Sequence, residues 1–117
     1  MMPHIFSYSM TIKEMQEAVD RWIGDIGHGY FSELTNMALL TEETGELARI
    51  IARVYGDQIA KPGDLTDPKQ NLAEEIADVL WVLTCIANQT GIDLQKAFDD
   101  TLKKKESRDR NRFSPKK

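Results

Sequence analysis

Residues 39–51 read LLTEETGELARII, and this stretch decides the fold because it sets acidic side chains inside an apolar helical pattern. Its apolar residues recur every three or four positions, as on the buried face of an amphipathic helix. Glu43 and Glu46 are three residues apart, so a helix places them on one face, one above the other. Residues 72–83, LAEEIADVLWVL, repeat the arrangement with Glu75 and Asp78. Both stretches therefore predict helices whose acids border the core.

The chain before residue 39 predicts one complete helix and the start of another. Thr11 and Glu14 form a capping box ahead of apolar residues at helical spacing. The glycine-rich run GDIGHG, residues 24–29, then makes continuation of this first helix costly. Ser32 is an N-cap for the second helix, which we expect to run to about Tyr55 and to stop at the glycine that follows.

The chain after residue 55 predicts a loop and two more helices. Residues 56–70, GDQIAKPGDLTDPKQ, are rich in Gly, Pro and Asp, which indicates the loop. Asp67 and the proline after it start the third helix, with Gln70 at the capping-box position, and this helix ends near Gln89. Asp93 caps a fourth helix, which leads into a basic tail that frays from Asn111. No strand pattern or repeat appears, so residues 1–117 predict a single all-α, four-helix domain.

The bulk composition predicts a soluble globular protein, with 41% hydrophobic and 29% charged residues. No apolar run approaches the roughly 18 residues that suggest a membrane span. The first ten residues, MMPHIFSYSM, lack the charged region and apolar stretch of a signal peptide. The single cysteine, Cys85, cannot form an internal disulfide, and we expect it to be a small buried side chain. Together these features favour a cytoplasmic protein.

The net charge of −4 conceals an acidic body and a basic tail. Residues 1–102 carry 7 Lys and Arg against 17 Asp and Glu, whereas residues 103–117 carry 8 against 2. A basic tail is typical of proteins that bind nucleic acid. The same asymmetry also arises when acids and bases meet around a phosphorylated ligand and its metal ion. Charge alone leaves both interpretations open.

The four acids Glu43, Glu46, Glu75 and Asp78 converge if their helices pack antiparallel through the apolar faces. At about 5 Å and an effective dielectric constant of 20, each ionised pair repels by roughly 3 kcal/mol. One or two acids then become protonated, or a divalent cation lies among them. Oxygen ligands of this kind suit Mg²⁺ or Mn²⁺ better than zinc. A solvated acidic surface is the alternative, and spacing alone does not exclude it.

The motifs EETGE, residues 42–46, and EEIAD, residues 74–78, together resemble the EExxE…ExxD pattern of MazG-like nucleotide pyrophosphohydrolases. The similarity is to the short stand-alone bacterial members and runs from residue 31 to the basic segment KKKESRDRNRF. It implies an all-α subunit that forms homodimers or homotetramers. It also implies cleavage of nucleoside triphosphates between the α- and β-phosphates, with Glu43, Glu46, Glu75 and Asp78 as catalytic acids and Mg²⁺ ligands. Mn²⁺ is the expected substitute metal.

The resemblance also implies roles for the last helix and for an outer acid. Lys104 matches a family lysine that meets the phosphates, and Arg108 and Arg112 follow it at successive helical turns. Lys and Arg suit this task because they offset the charge of the departing pyrophosphate. Glu42 precedes the first acid pair and is expected behind the ligands rather than among them.

Recognition of the base is the least specified part of the predicted site. Asn36 lies two turns before Glu43 on the same helix face and is a candidate contact to the base. Trp81 is a candidate for stacking on the base, although a tryptophan in an apolar helix is more often part of the core. The sequence does not name the preferred base.

Other protein classes are weighed against this enzyme. A di-iron helical bundle needs Glu-x-x-His on two helices, and neither His4 nor His28 follows an acid by three residues. A nucleic-acid arm at residues 103–117 has only Phe113 as an aromatic, and the acidic body would oppose the binding. A non-catalytic helical module that binds nucleotide or a regulatory partner stays open, because loss of activity leaves the motif acids in place.

Overall fold

The computed structural model describes residues 9–59, 61–63, 65–113 and 115, which form four α-helices and no strand. The helices are α1 (Ile12–Asp25), α2 (Glu33–Tyr55), α3 (Pro68–Gln89) and α4 (Leu94–Asp109). The predicted all-α, four-helix architecture is confirmed. None of these helices is long and apolar enough to cross a membrane. Of the tail predicted to fray from Asn111, Ser114, Lys116 and Lys117 lie outside the described residues.

Each helix begins at the N-cap that the sequence predicts, where a side chain accepts a hydrogen bond from the backbone N–H three residues on. These N-caps are Thr11, Ser32, Asp67 and Asp93. The predicted capping box at Asp67 is wrong in one detail, because its N–H donates to Asn71 Oδ1 and not to Gln70. The longer Gln70 side chain instead donates to Glu74, one turn further along α3.

The acids lie along the seam between α2 and α3, which make the most extensive helix–helix contact. The two helices run antiparallel, since Asn36 near the start of α2 bonds to Gln89 at the end of α3. Helix α1 packs on α3, and α4 packs on α1. The core between them is small, and its buried apolar residues are Val19, Ile50, Val82, Cys85 and Ala87, with the polar residues Asn36 and Thr84 buried beside them.

A single chain is more extended than a globular monomer of its size. Its radius of gyration is 17.7 Å and its accessible surface is 9428 Å². A compact chain of this length and mass has a radius of gyration of about 13 Å and an accessible surface of about 6,500 Å². Exposed apolar residues lie at helical spacing on two helices, namely Ile76, Leu80 and Leu83 on α3 and Phe98 and Leu102 on α4. The four helices therefore leave apolar faces that they do not cover themselves.

Candidate metal centre and adjoining cavity

Three acids from α2 and α3 converge at the seam. One carboxylate oxygen from each of Glu43, Glu75 and Asp78 lies within 4.8 Å of the other two. The antiparallel packing accounts for this, because each helix turns its acid-bearing face toward the other. Three oxygen donors so close together suit a hard divalent cation such as Mg²⁺ or Mn²⁺. We refer to these three residues as the acidic centre.

The environment of the acidic centre opposes the ionised form of two of its members. Burial first, and then the charges of surrounding carboxylates, raises the pKa of Glu43 above its ordinary value. The same causes raise the pKa of Glu75, although the positive charge of Arg49 acts in the opposite direction. Glu75 Oε2 is buried and has no hydrogen-bond partner within the described part of the chain. A buried carboxylate oxygen of this kind is satisfied by a proton or a cation, so the residues present fit a metal ion.

The fourth predicted ligand, Glu46, lies beside the acidic centre rather than in it. Its Oε2 is 3.5 Å from Nε of Arg49, which lies three residues further along α2. The charge of Glu46 nevertheless contributes to the raised pKa of both Glu43 and Glu75. Glu42 is exposed and also raises the pKa of Glu43 through its charge. The structure thus brings together three of the four predicted ligands and pairs the fourth with a guanidinium.

A cavity of about 290 Å³ continues the same seam toward the start of α2. Leu39 and Val82 are among its lining residues, and each lies four residues from a member of the acidic centre. The turn between α1 and α2 closes one side. Gly27 permits this closure, because a Cβ at that position would lie 3.2 Å from the ring of Trp22. The cavity and the acidic centre are therefore successive segments of one groove.

Both candidate base contacts line this cavity. Asn36 is buried, and its Nδ2 donates to Gln89 Oε1 at 2.6 Å. Gln89 in turn donates to the carbonyl oxygen of Phe31 at 2.8 Å, which fixes the orientation of the amide pair. Trp81 meets Trp22 edge to face, with ring centroids 5.2 Å apart and an interplanar angle of 86°. The cavity thus combines aromatic walls with one oriented amide.

Two of the predicted phosphate-binding residues, Lys104 and Arg108, lie on α4, and Arg112 lies just beyond its end. Helix α4 packs on α1, and no basic residue of α4 is among the charges that chiefly act on Glu43 or Glu75. Arg108 and Arg112 both bind the carboxylate of Asp109, at 3.0 Å and 3.2 Å. Lys104 is exposed. The basic tail therefore has internal partners that the sequence reasoning did not foresee.

A model of the MazG nucleotide pyrophosphohydrolase domain matches residues 31–113, which include every acid of the site. The chain belongs to the MazG nucleotide pyrophosphohydrolase family. This MazG chain is 46% identical over 106 residues to the uncharacterized protein YpjD of Bacillus subtilis (strain 168), covering 91% of this chain and 93% of that protein. The predicted family is thereby confirmed.

Two crystal structures resemble the MazG chain in fold. One is the Bacillus-conserved MazG protein, a nucleotide pyrophosphohydrolase, with a TM-score of 0.72 and 40% identity over 91% of this chain and 100% of that one. The other is YpjD from Bacillus subtilis, with a TM-score of 0.72 and 45% identity over 84% of this chain and 97% of that one. Both similarities extend over almost the whole of the known structures.

Sequence reasoning missed one charged residue of this MazG site. Arg49 lies at the edge of the acidic centre, where it pairs with Glu46 and acts on Glu75. The signal was present, because residues three apart on a helix are neighbours and Arg49 follows Glu46 by three. The predicted site contained the acidic ligands and not the positive charge of Arg49.

Proposed function

We propose that this MazG-family chain hydrolyses nucleoside and deoxynucleoside triphosphates between the α- and β-phosphates. The products are a nucleoside monophosphate and pyrophosphate, and the role is removal of unwanted nucleotides from the cellular pool. The observation that carries the proposal is the acidic centre beside the aromatic cavity. One groove thus offers a place for a metal-bound phosphate and, one helical turn away, a place for a base.

The cofactor of this proposal is Mg²⁺, with Mn²⁺ as a substitute. Glu43, Glu75 and Asp78 would hold it, and Glu46 would join them from the next turn of α2 after it leaves Arg49. When bound, such an ion polarises phosphate oxygens and lowers the pKa of a bound water, which makes the water a nucleophile at neutral pH. The carboxylates also orient the attacking water by accepting its hydrogen bonds. Glu42 lies outside the ligand set, and its negative charge adds to the attraction of this site for a cation.

The cavity residues bind the nucleoside in this proposal. Trp22 and Trp81 provide apolar walls against which a base is excluded from water. Asn36 presents a buried amide to the cavity, and its bond to Gln89 holds that amide in one orientation. An oriented amide discriminates between bases by the hydrogen bonds that it leaves satisfied or unsatisfied. Laid along the groove, the phosphates of the nucleotide then pass the acidic centre.

In this proposal, helix α4 acts at the groove of a neighbouring copy of the chain. Lys104, Arg108 and Arg112 contact the phosphates when a homodimer or homotetramer brings α4 close to the groove of a neighbouring copy. The apolar faces left uncovered by one chain support such an assembly. Positive side chains then stabilise the negative charge that develops on the departing pyrophosphate.

The test is product analysis for a panel of canonical and modified triphosphates. We expect a monophosphate and pyrophosphate in Mg²⁺, no turnover in EDTA, and recovery when Mg²⁺ or Mn²⁺ is added back. Glu75→Gln should reduce the rate by orders of magnitude. Glu74→Gln is the matched control, because it removes the same charge one position away on an exposed part of α3.

Three outcomes would contradict the proposed function. Undiminished turnover in EDTA would show that the acids do not act through a cation. Nucleotide binding without cleavage of any triphosphate in the panel would assign the chain to the non-catalytic helical modules. Equal rates for Glu75→Gln and Glu74→Gln would place the chemistry elsewhere on the chain.

A further inference from the structure

Arg49 sets a positive charge at the edge of the acidic centre. Its guanidinium pairs with Glu46, 3.5 Å away, and lies within electrostatic range of Glu75. Both members of the pair are only partly buried, with side-chain exposures of 38% for Arg49 and 47% for Glu46. The fourth acid of the motif is therefore directed toward a side-chain cation, while the other three are directed toward one another.

The position of Arg49 along α2 indicates which part of a bound nucleotide its side chain would meet. Asn36 lines the cavity, and Glu43, two turns later, belongs to the acidic centre. Arg49 lies about 9 Å further along the axis and about 120° around it from Glu43, and its side chain reaches back to Glu46. Asn36 and Arg49 are 13 residues apart, or about 20 Å along the helix axis. A nucleoside triphosphate whose base fills the cavity passes the acids with its first phosphates. Its terminal phosphates then lie on the side of Arg49.

We infer that Arg49 exchanges partners during the reaction cycle: it holds Glu46 until a divalent cation enters the acidic centre, and it then binds the terminal phosphates of the nucleotide. The inference rests on the proposed function, since it assigns that substrate's phosphates to Arg49. The release of Glu46 depends on the cation alone, and the binding of the phosphates depends on the nucleotide. Arg49 thus becomes a phosphate-binding residue supplied by the same chain as the acids.

The charges make the exchange favourable in both steps. Glu46 would be attracted and Arg49 repelled by a divalent cation held by the acids, so the two side chains would be drawn in opposite directions. The pair itself is weak, because partly exposed ion pairs are screened by solvent. The triphosphate then offers Arg49 several oxygens, which a planar guanidinium binds in a bidentate manner.

Two binding measurements test the exchange on the full-length chain. The first titrates Mn²⁺ into the protein without nucleotide. The second titrates a triphosphate analogue with a methylene group between the α- and β-phosphorus atoms, at saturating Mn²⁺. The variants are Arg49→Gln and Arg49→Lys, with Arg21→Gln as the control because Arg21 is exposed on α1 and outside the cavity lining. Circular dichroism establishes that each variant keeps its helices.

The two measurements should move in opposite directions for Arg49→Gln. Mn²⁺ should bind about three- to tenfold more tightly, because a competing positive charge is gone. The analogue should bind about tenfold or more weakly, because a charged phosphate contact is lost. Arg49→Lys keeps the charge, so we expect the wild-type Mn²⁺ affinity but only part of the analogue affinity. Arg21→Gln should match the wild type in both.

A purely structural role for Arg49 would weaken both kinds of binding, and that result would overturn the inference. Unchanged Mn²⁺ affinity in Arg49→Gln would show that the guanidinium does not compete with the cation. Tighter Mn²⁺ binding with unchanged analogue binding would show that Arg49 does not contact the phosphates. Failure of the wild type to cleave any triphosphate would overturn the proposed hydrolysis instead, and the exchange would still be decided because neither titration depends on turnover.

Discussion

Glu75 has one carboxylate oxygen that the fold buries without a hydrogen-bond partner among the described residues. Its Oε2 accepts no hydrogen bond there, and its pKa is raised by burial and by neighbouring carboxylates. Natural sequences break the rules of core design chiefly at functional sites, where the cost in stability is offset by activity. The adjacent Glu74 is exposed, so a comparison of variants at Glu74 and Glu75 separates the effect of position from the effect of losing one negative charge.

Replacement of Glu75 by glutamine should stabilise the protein at pH 7 in EDTA. Folding raises the pKa of Glu75 above its ordinary value of 4.5, so ionisation costs the folded state free energy. That cost is absent below pH 4.5 and grows as the pH rises through the raised folded pKa. We expect the variant to unfold roughly 2–5 °C higher at pH 7 and to converge with the wild type in acid, by scanning calorimetry.

Two variants serve as controls for this gain in stability. Glu46→Gln should give no comparable gain, because it also removes the ion pair with Arg49. Glu74→Gln removes a negative charge from an exposed position and should change the midpoint less than Glu75→Gln. An equal gain in all three would attribute the effect to net charge and not to the acidic centre.

Asn36 is the residue whose replacement should change nucleotide recognition without changing metal binding. In Asn36→Ala we expect KM for the preferred triphosphate to rise about tenfold, since a buried amide contact is lost. The affinity for Mn²⁺ should stay the same. Gln95→Ala is the matched control, because this amide of α4 accepts a hydrogen bond from the backbone N–H of Lys13 and lies outside the cavity lining. Equal KM changes in both variants would show that the base does not bind in the cavity.

The helices themselves were predictable from the sequence, because their ends depend on local chemistry. N-caps such as Thr11 and Ser32 act on backbone N–H groups three residues away, so a single sequence contains both partners. The convergence of Glu43 with Asp78 followed from periodicity and one assumption, that α2 and α3 pack antiparallel. The packing of α4 did not follow, since periodicity shows which face of a helix is apolar and not which neighbour covers it. The pairing of Glu46 with Arg49 was local and could have been predicted.

Helix α4 should affect substrate binding more than metal binding. We expect Lys104→Ala to lower kcat/KM about tenfold or more, because it removes a charged contact to phosphate. Mn²⁺ affinity in the absence of nucleotide should be unchanged or slightly higher. Lys105→Ala is the matched control, since it removes the same charge from the next position and a different face of α4.

Two further measurements separate this role from nucleic-acid binding. Truncation from Ser114 onward should leave turnover close to that of the full chain. If the tail instead binds nucleic acid, the truncation should abolish a salt-sensitive affinity for DNA or RNA, and Lys104→Ala should leave hydrolysis intact. Turnover and nucleic-acid binding measured on the same variants decide between the two roles.

The whole molecule has more surface than a single compact chain of its mass. The difference between 9428 Å² and the roughly 6,500 Å² of a globular monomer is close to 3,000 Å². Obligate homodimers bury totals of about 2,000–5,000 Å², or about 1,000–2,500 Å² per chain, so an interface of the largest kind would account for most of this excess. The stripe of Ile76, Leu80 and Leu83 on α3 is part of this excess. This excess of surface is the reason to expect an assembly of several copies.

The protein should therefore be a homodimer or homotetramer at micromolar concentration. Light scattering should give two or four times the chain mass of 13.3 kDa. Leu80→Asp places a charge in the apolar stripe of α3, so we expect it to dissociate the assembly and to lower turnover, because the α4 of a neighbouring copy is then lost. Ile59→Asp is the control, since Ile59 is 93% exposed in the loop before α3 and should leave the mass unchanged. A wild-type monomer of 13.3 kDa with full activity would contradict both the assembly and the role assigned to α4.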